Sequence, residues 1–407
     1  MTWDVLPPAW APADVDAQSL WAASGAQWLT APGVDVPVEL VRAIAGSVGY
    51  LDERGAGLAS ITGSGGVGLL AERAALLELA PSGTVSCGRA SSLLRCVDGW
   101  IAVSLTRPDD IASIPAWLGV DDGGDPWAAV TRRLGGLERR LVAERAVALG
   151  IACSIVGAVD DPRPVLVTSL GDAPARAVGG AIVVNLASLW AGPLAADVLA
   201  RIGARVINVE STARPDGARH TSRFFEVLHG RCTSVALELH KDRGRDQLQA
   251  LLMAADVVIE GSRPRALEQM GVDAAALVRT GPKVWLSITG HGRADPHAKR
   301  VGFGDDAAAA GGLVGWIGDD PRFIADAVAD PLSGVTAAAT VVQLLEAPGR
   351  WMADVALSRV AASAAGGEWA PVITSTPIRR PRVRTDPGRA LPLGRDTTAV
   401  LSEFGIG

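Results

Sequence analysis

Residues 323–345, FIADAVADPLSGVTAAATVVQLL, place one carboxylate, Asp330, at the mouth of a long run of small and apolar residues. Two roles fit that position. Asp is a preferred helix N-cap, and proline, here Pro331, belongs at the first helical position. A carboxylate held at a helix start is also a candidate nucleophile. Local residue types leave both roles open.

The other chemistry-bearing patterns are weaker. GSGGVG at 63–68 matches the GxGxxG pattern, follows LASIT and precedes a helix-like run, but no second strand with an acidic end follows it. A glycine-rich packing loop is the simpler expectation. The chain has no GxxxxGK[ST] phosphate loop, no GxSxG elbow and no HExxH helix. Its five histidines, His220, His229, His240, His291 and His297, form no ligand-spaced set, so no metal is expected. Cys87, Cys96, Cys153 and Cys232 are scattered without CxxC spacing, which predicts reduced thiols in a cytoplasmic protein. By elimination, a catalytic reading leans on carboxylates.

Those residues need elements to hold them. AIVVNLAS (181–188), ARVINVE (204–210), TSVALEL (233–239), DVVIEG (256–261) and KVWLSITG (283–290) read as strands. GPLAADVLARIG (192–203), GRDQLQALLMAA and AAALVRT read as helices between them. Such alternation predicts an α/β fold with a Rossmann-like, doubly wound, mostly parallel sheet. Ligands in such sheets sit beyond the carboxyl ends of the strands. GDDAAAAGGLVGWIG is expected to be helical, RWMADVALSRVAAS (350–363) to return as a strand, and the Pro/Arg-rich tail to wrap a surface before a short helix at TTAVLSEFG. Residues 1–160 have another texture: three helical runs, then a smaller α/β unit over about 91–157 with a hairpin turn at Asp98-Gly99. A boundary is expected near GAVDDPRPV, dividing the chain into 1–160 and 161–407.

The 407 residues allow a sizeable core, and 48% apolar with 20% charged residues is a globular composition. A net charge of −6 provides no basic footprint for nucleic acid. No apolar stretch of spanning length and no leader-like start is evident, so neither membrane insertion nor export is expected. All but three of the 38 basic residues are arginine, which suits phosphate contacts without proving them.

From about residue 180 onward, five segments occur together in order: NLASLWAGPLAADVLARIGARVINVE, ADVVIEGSRPRALEQMGV, SITGHG, VADPLSG and LPLGRDTTAVLSEFG. Together they resemble the class III CoA-transferases of the CaiB/BaiF type. This is the family of formyl-CoA transferase and carnitine CoA-transferase, with α-methylacyl-CoA racemase as a relative. LLRCVDGWIAVSL and RLVAERAVALGIACSIVG resemble the family's small domain, but here they precede the Rossmann-like part, as in a permuted chain.

The resemblance implies a cytoplasmic homodimer that exchanges CoA between an acyl-CoA and a carboxylic acid, through an aspartyl anhydride and an aspartyl-CoA thioester on Asp330. A helix N-terminus would keep that carboxylate ionised. It implies CoA contacts from Trp190, Arg214, Arg231, Ser262, Arg263, His291 and Gly292. Trp190 stands where formyl-CoA transferase has a glutamine, Gly261-Ser262 replaces a common Asn-Phe, and Cys232-Thr233 a common Lys-Arg. The racemase's catalytic histidine aligns with Phe303, which disfavours that chemistry. Trp190, Trp285, Trp316 and Phe303 are candidates for the wall of an acyl pocket. The alternatives are a non-catalytic CoA-binding or partner subunit and an acyl-CoA racemase or isomerase.

Overall fold

In the fold, strand follows helix as the alternating pattern predicts. A computed structural model describes residues 2–9, 11–120, 125–262, 264–372 and 376–407. Six strands run parallel: Ile182–Asn185, Arg205–Ser211, Thr233–Leu237, Val257–Glu260, Val284–Thr289 and Arg350–Ala356. Numbered along the chain, their spatial order is 3-2-1-4-5-6, the doubly wound order with one switch point. That switch lies between Ile182–Asn185 and Val257–Glu260, in register from Val183↔Val257 to Asn185↔Ile259. All four residues of Val257–Glu260 are buried, as expected of a parallel strand covered on both faces.

Two antiparallel strands extend the sheet at one edge. Val165–Gly171 pairs with Arg350–Ala356, and Asp4–Val5 pairs outside it. The opposite edge strand is covered by the tail. Ser234 and Ala236 donate their backbone N–H groups to Asp396 Oδ2 and Thr397 Oγ1, both at 2.9 Å, as the helix Thr397–Glu403 begins. Covering an edge in this way removes a template for pairing with another chain.

Ala329–Glu346 is a long helix, buried along almost its whole length, as a helix apolar on every side must be. It packs on Ala191–Arg201, the helix that leaves the first parallel strand. Gly334 permits the approach: a Cβ there would lie 2.8 Å from Leu194 Cδ2 and 3.0 Å from the carbonyl oxygen of Ala191. The N-terminal helices Ala17–Ser24 and Val38–Asp52 join this same core through Trp21, Leu40 and Ile44.

A smaller three-stranded antiparallel sheet, Ser91–Cys96, Gly99–Ser104 and Ala152–Ile155, carries its own core around Trp117. Leu93 and Ala102 of that sheet pack on Ala309, Val314 and Phe323 and seat it against the main unit. Among the described residues no helix is long and apolar enough to cross a membrane.

Three local expectations change. The two residues between the hairpin strands are Val97 and Asp98, with Gly99 already paired to Cys96. Helix over 304–318 stops at Ala310, because Gly311 and Gly312 break it, and Gly315–Ile317 pairs with Asp320–Arg322. The strand at 350 ends at Ala356 and becomes the helix Leu357–Ala365. LASIT is helical, and GSGGVG is the glycine-rich packing loop expected, not a dinucleotide loop. Its Gly66 exists for packing, since a Cβ there would meet Val48 Cγ2 at 2.5 Å.

Candidate active site

The switch point opens a cleft of about 320 Å³. Its walls come from the ends of three parallel strands: Ala187–Gly192 after the first, Gly261-Ser262 after the fourth, and Thr289, Gly290 and Gly292 after the fifth. Phe303 closes one side, and Arg107, from the loop after the small sheet's second strand, closes another. Asp330 faces into it and is the only carboxylic acid among the described residues that line it.

Asp330 is not the helix cap. The helix begins at Ala329 with Val328 in the cap position, so Asp330 is the second helical residue and Pro331 the third. The chain enters through Ala325 and Ala327, both at positive φ (45° and 43°). Backbone held there by a non-glycine residue is strained, and such strain persists only where packing over-determines it. Leu189, also in the cleft wall, has φ 71°. The Asp330 carboxyl lies over Gly304, the first residue of the helix Gly304–Ala310. A Cβ on Gly304 would fall 2.3 Å from Asp330 Oδ2 and 2.7 Å from the carbonyl oxygen of Ala327. Only a bare Cα leaves room for the carboxylate.

The electrostatics around this group overturn the expectation of a firmly ionised carboxylate. Burial pushes the Asp330 carboxyl up to about 7; Arg73 pulls it down, while Asp305, Asp326 and Asp306 push it further up. Its side chain still reaches the cleft, so water reduces the burial effect without removing it. Arg73 donates from Nε to Asp326 Oδ2 at 2.9 Å, and its guanidinium carbon lies 5.0 Å from the ring centre of Trp190. Asp306 is fully buried and accepts from Ser104 Oγ at 3.0 Å, Ser154 Oγ at 3.3 Å and the Phe303 N–H at 2.8 Å. Burial pushes it, too, up to about 7.

Of the residues expected from the sequence, Trp190, Ser262, Gly292 and Asp330 line the cleft together. His291 does not. It is buried behind the wall with Nε2 3.9 Å from Asp306 Oδ2, and burial pushes its pKa well below the usual imidazole range, leaving it neutral. Arg214 is exposed and away from the cleft. Arg231 is tied to Asp386 and lies 3.5 Å from Asp197, inside an ion-pair network. Arg263 lies outside the described residues. Of the candidate aromatic walls, Trp190 and Phe303 serve, whereas Trp285 is buried with its indole N–H on Glu260 Oε1 and Trp316 sits exposed on a hairpin. Arg73, Arg107, Arg300, Asp305, Asp306 and Asp326 were not anticipated; one arginine among 35 carries no sequence mark of a cleft position. Among the described residues no group of three or more His, Cys, Asp or Glu side chains is arranged to hold a metal.

A sequence profile, that of CoA-transferase family III, matches residues 179–390, just over half of the chain. The chain belongs to CoA-transferase family III. Its similarity to individual members is distant. It is 28% identical to a succinyl-CoA–D-citramalate CoA-transferase of Chloroflexus aurantiacus, over 40% of this chain and 44% of that one. It is 30% identical to a probable fatty acyl-CoA transferase of Mycobacterium tuberculosis, over 45% and 50%. It is 28% identical to an acyl-CoA transferase of Fusarium pseudograminearum, over 35% of each. The chain thus spans a third to a half of the length of these relatives. Among solved structures, a CaiB/BaiF family protein from Brucella suis aligns at 26% identity with a TM-score of 0.39, over 46% of this chain and 55% of the other. The matched region contains the parallel sheet and Asp330 but not Arg73 or Arg107.

Proposed function

We propose that this family III member transfers CoA between an acyl-CoA thioester and a free carboxylic acid, with Asp330 as the covalent acyl carrier. The observation that supports this is the seating of Asp330: the lone acid lining a cleft at the sheet's switch point, above a glycine that makes room for it. An Asp330 oxygen attacks the thioester carbonyl, the C–S bond breaks, and CoA thiolate leaves a mixed anhydride. The thiolate then attacks the Asp330 carbonyl carbon, releasing the donor acid and leaving an aspartyl-CoA thioester. The acceptor carboxylate attacks that thioester, thiolate leaves again, and its attack on the new acyl carbonyl yields the product and frees Asp330. One hard exchange becomes four easier ones. A thioester is exchanged for a thioester, so no nucleotide energy is required.

This chain's residues divide the work. Asp330 must be ionised to attack, and Arg73 is the cation that favours that state. Trp190 and Phe303 exclude water from the anhydride. A second reading, a CoA-binding subunit without catalysis, is favoured by one observation: Arg231, an expected phosphate partner, is already occupied by Asp197 and Asp386. Incubation with a carboxyl-labelled acyl-CoA and an unlabelled acid separates the two. Appearance of the second acid as its CoA ester supports transfer; tight CoA binding without exchange supports the subunit.

A further inference from the structure

The turn that leads into the Asp330 helix is held by side chains from far upstream. Ala325 sits at φ 45° and Ala327 at φ 43°, a conformation that a residue with a Cβ keeps only where its surroundings over-determine it. Both polar groups of Ala325 are gripped. Its N–H donates to Thr30 Oγ1 at 3.0 Å, and its carbonyl oxygen accepts from Cys87 Sγ at 3.0 Å. The Thr30 hydroxyl sends its own proton to the carbonyl oxygen of Ala26 at 2.8 Å, which leaves a lone pair for Ala325. Burial pushes the Cys87 thiol well above its usual range, so it keeps the proton it donates. Beside this grip, Ser82 Oγ joins the carbonyl oxygens of Leu29 and Phe323, both at 2.9 Å, and the Asp326 N–H donates to the carbonyl oxygen of Leu70 at 3.3 Å.

The conformation at 325–327 decides where Asp330 sits. The Asp330 N–H donates to the carbonyl oxygen of Ala327 at 2.9 Å, and that same oxygen faces Gly304, over which the carboxyl lies. Releasing Ala325, which is buried, would leave its N–H without an acceptor and let φ fall back to negative values, moving the helix start with it. Thr30, Leu70 and Cys87 line no part of the cleft and lie outside residues 179–390, the part that matches the family. We infer that Thr30 and Cys87 are positioning residues: by holding both polar groups of Ala325 in a left-handed turn, they fix the Asp330 carboxyl above Gly304. The segment ahead of the small sheet thus acts on the nucleophile without lining the cleft.

This rests on the CoA-transferase reading above, in which Asp330 is the nucleophile. Thr30→Val keeps the shape and removes the acceptor, whereas Thr30→Ser keeps both bonds. Thr30→Val should lower kcat roughly 10–100-fold, the loss expected for misplacement on the order of an ångström, with KM and desulfo-CoA affinity within about threefold. Thr30→Ser should stay near the wild type. Adding Ala325→Gly to Thr30→Val should return part of the lost kcat, because glycine holds a positive φ without a clamp; a general loss of packing would show no such rescue. Titration of the Asp330 carboxyl by carbon NMR, on protein carrying labelled aspartate and assigned with Asp330→Asn, needs no turnover. Its midpoint should move in Thr30→Val and hold in Thr30→Ser. Wild-type kcat and midpoint in a folded Thr30→Val variant would overturn the inference, as would serine failing like valine, or equal losses in kcat and CoA affinity. If the valine variant does not fold, Cys87→Ala decides at the other end of the same residue. It should lower kcat and move the midpoint, with Cys87→Ser restoring part of both, and an unchanged Cys87→Ala variant would overturn the inference. If no acid accepts CoA, the transferase reading fails separately, and the midpoint still decides for or against the clamp.

Discussion

At the scale of single residues, the candidate nucleophile depends on two neighbours. Gly304 gives Asp330 its room, so Gly304→Ala should push the carboxyl away from its seat, because the backbone of Ala327 leaves the methyl no alternative. Misplacement on the order of an ångström costs about 100-fold in rate; steady-state kinetics should show a fall of that size in kcat with KM much less affected. Arg73 sets the charge. With the Asp330 carboxyl near 7, kcat/KM should rise with pH through neutrality and level off above it, since only the ionised form attacks. Arg73→Gln removes the cation that opposes this shift and should move that limb to higher pH, a change in the pH–rate profile that a merely structural role would not produce. The same shift bears on stability. A carboxyl whose pKa is raised on folding favours the folded state least above its folded value, so its penalty grows from about pH 4 to pH 7. Asp330→Asn should therefore be more stable than the wild type at pH 8 by about 1–3 kcal/mol, discounted for the open cleft, and indistinguishable at pH 4, as measured by urea unfolding.

At the scale of elements, the tail is as much a part of the fold as the sheet. Arg384, fully buried, donates to Glu72 Oε1 at 2.7 Å and Asp197 Oδ2 at 2.6 Å, joining the tail to the helices Glu72–Leu77 and Ala191–Arg201. Glu72 is adjacent to Arg73, so this latch also steadies the element that carries the Asp330 counter-charge. Arg384→Leu leaves Glu72 buried without its cation, while Asp197 keeps Arg201, and should cost about 3–5 kcal/mol, read as a lower urea midpoint. The parallel strands were legible because each is a short, nearly continuous apolar run followed by a helical period. The strand Val165–Gly171 was not, because it alternates weakly and joins the sheet only through a partner nearly 190 residues away. The helix expected over 304–318 failed at a glycine pair whose φ of 81° at Gly312 no local pattern announces. Asp330 was legible as a candidate nucleophile, but not its raised pKa, which comes from burial and from acids brought together from distant segments. For the same reason Arg231, plausible as a phosphate contact in sequence, proves to be part of the tail's ion-pair network.

At the scale of the whole molecule, the cleft is assembled within one chain from parts far apart in sequence. Arg107 comes from beside the small sheet, Trp190 and Ser262 from the two sides of the switch point, and Asp330 from the central helix. Ser104 and Ser154 of the small sheet both donate to Asp306, two residues beyond the glycine beneath Asp330. The small sheet thus holds the floor of the site, and the central claim for the whole assembly is that this floor presents a carboxylate that becomes acylated. Intact-protein mass spectrometry with acyl-CoA, followed by hydroxylamine, tests it directly. The wild type should gain the mass of a covalent CoA adduct, and hydroxylamine should convert it to a hydroxamate mapped to Asp330. Asp330→Asn should fold and remain unmodified. A folded Asp330→Asn variant that still acquires the adduct, or still transfers CoA at near wild-type rates, would contradict the account.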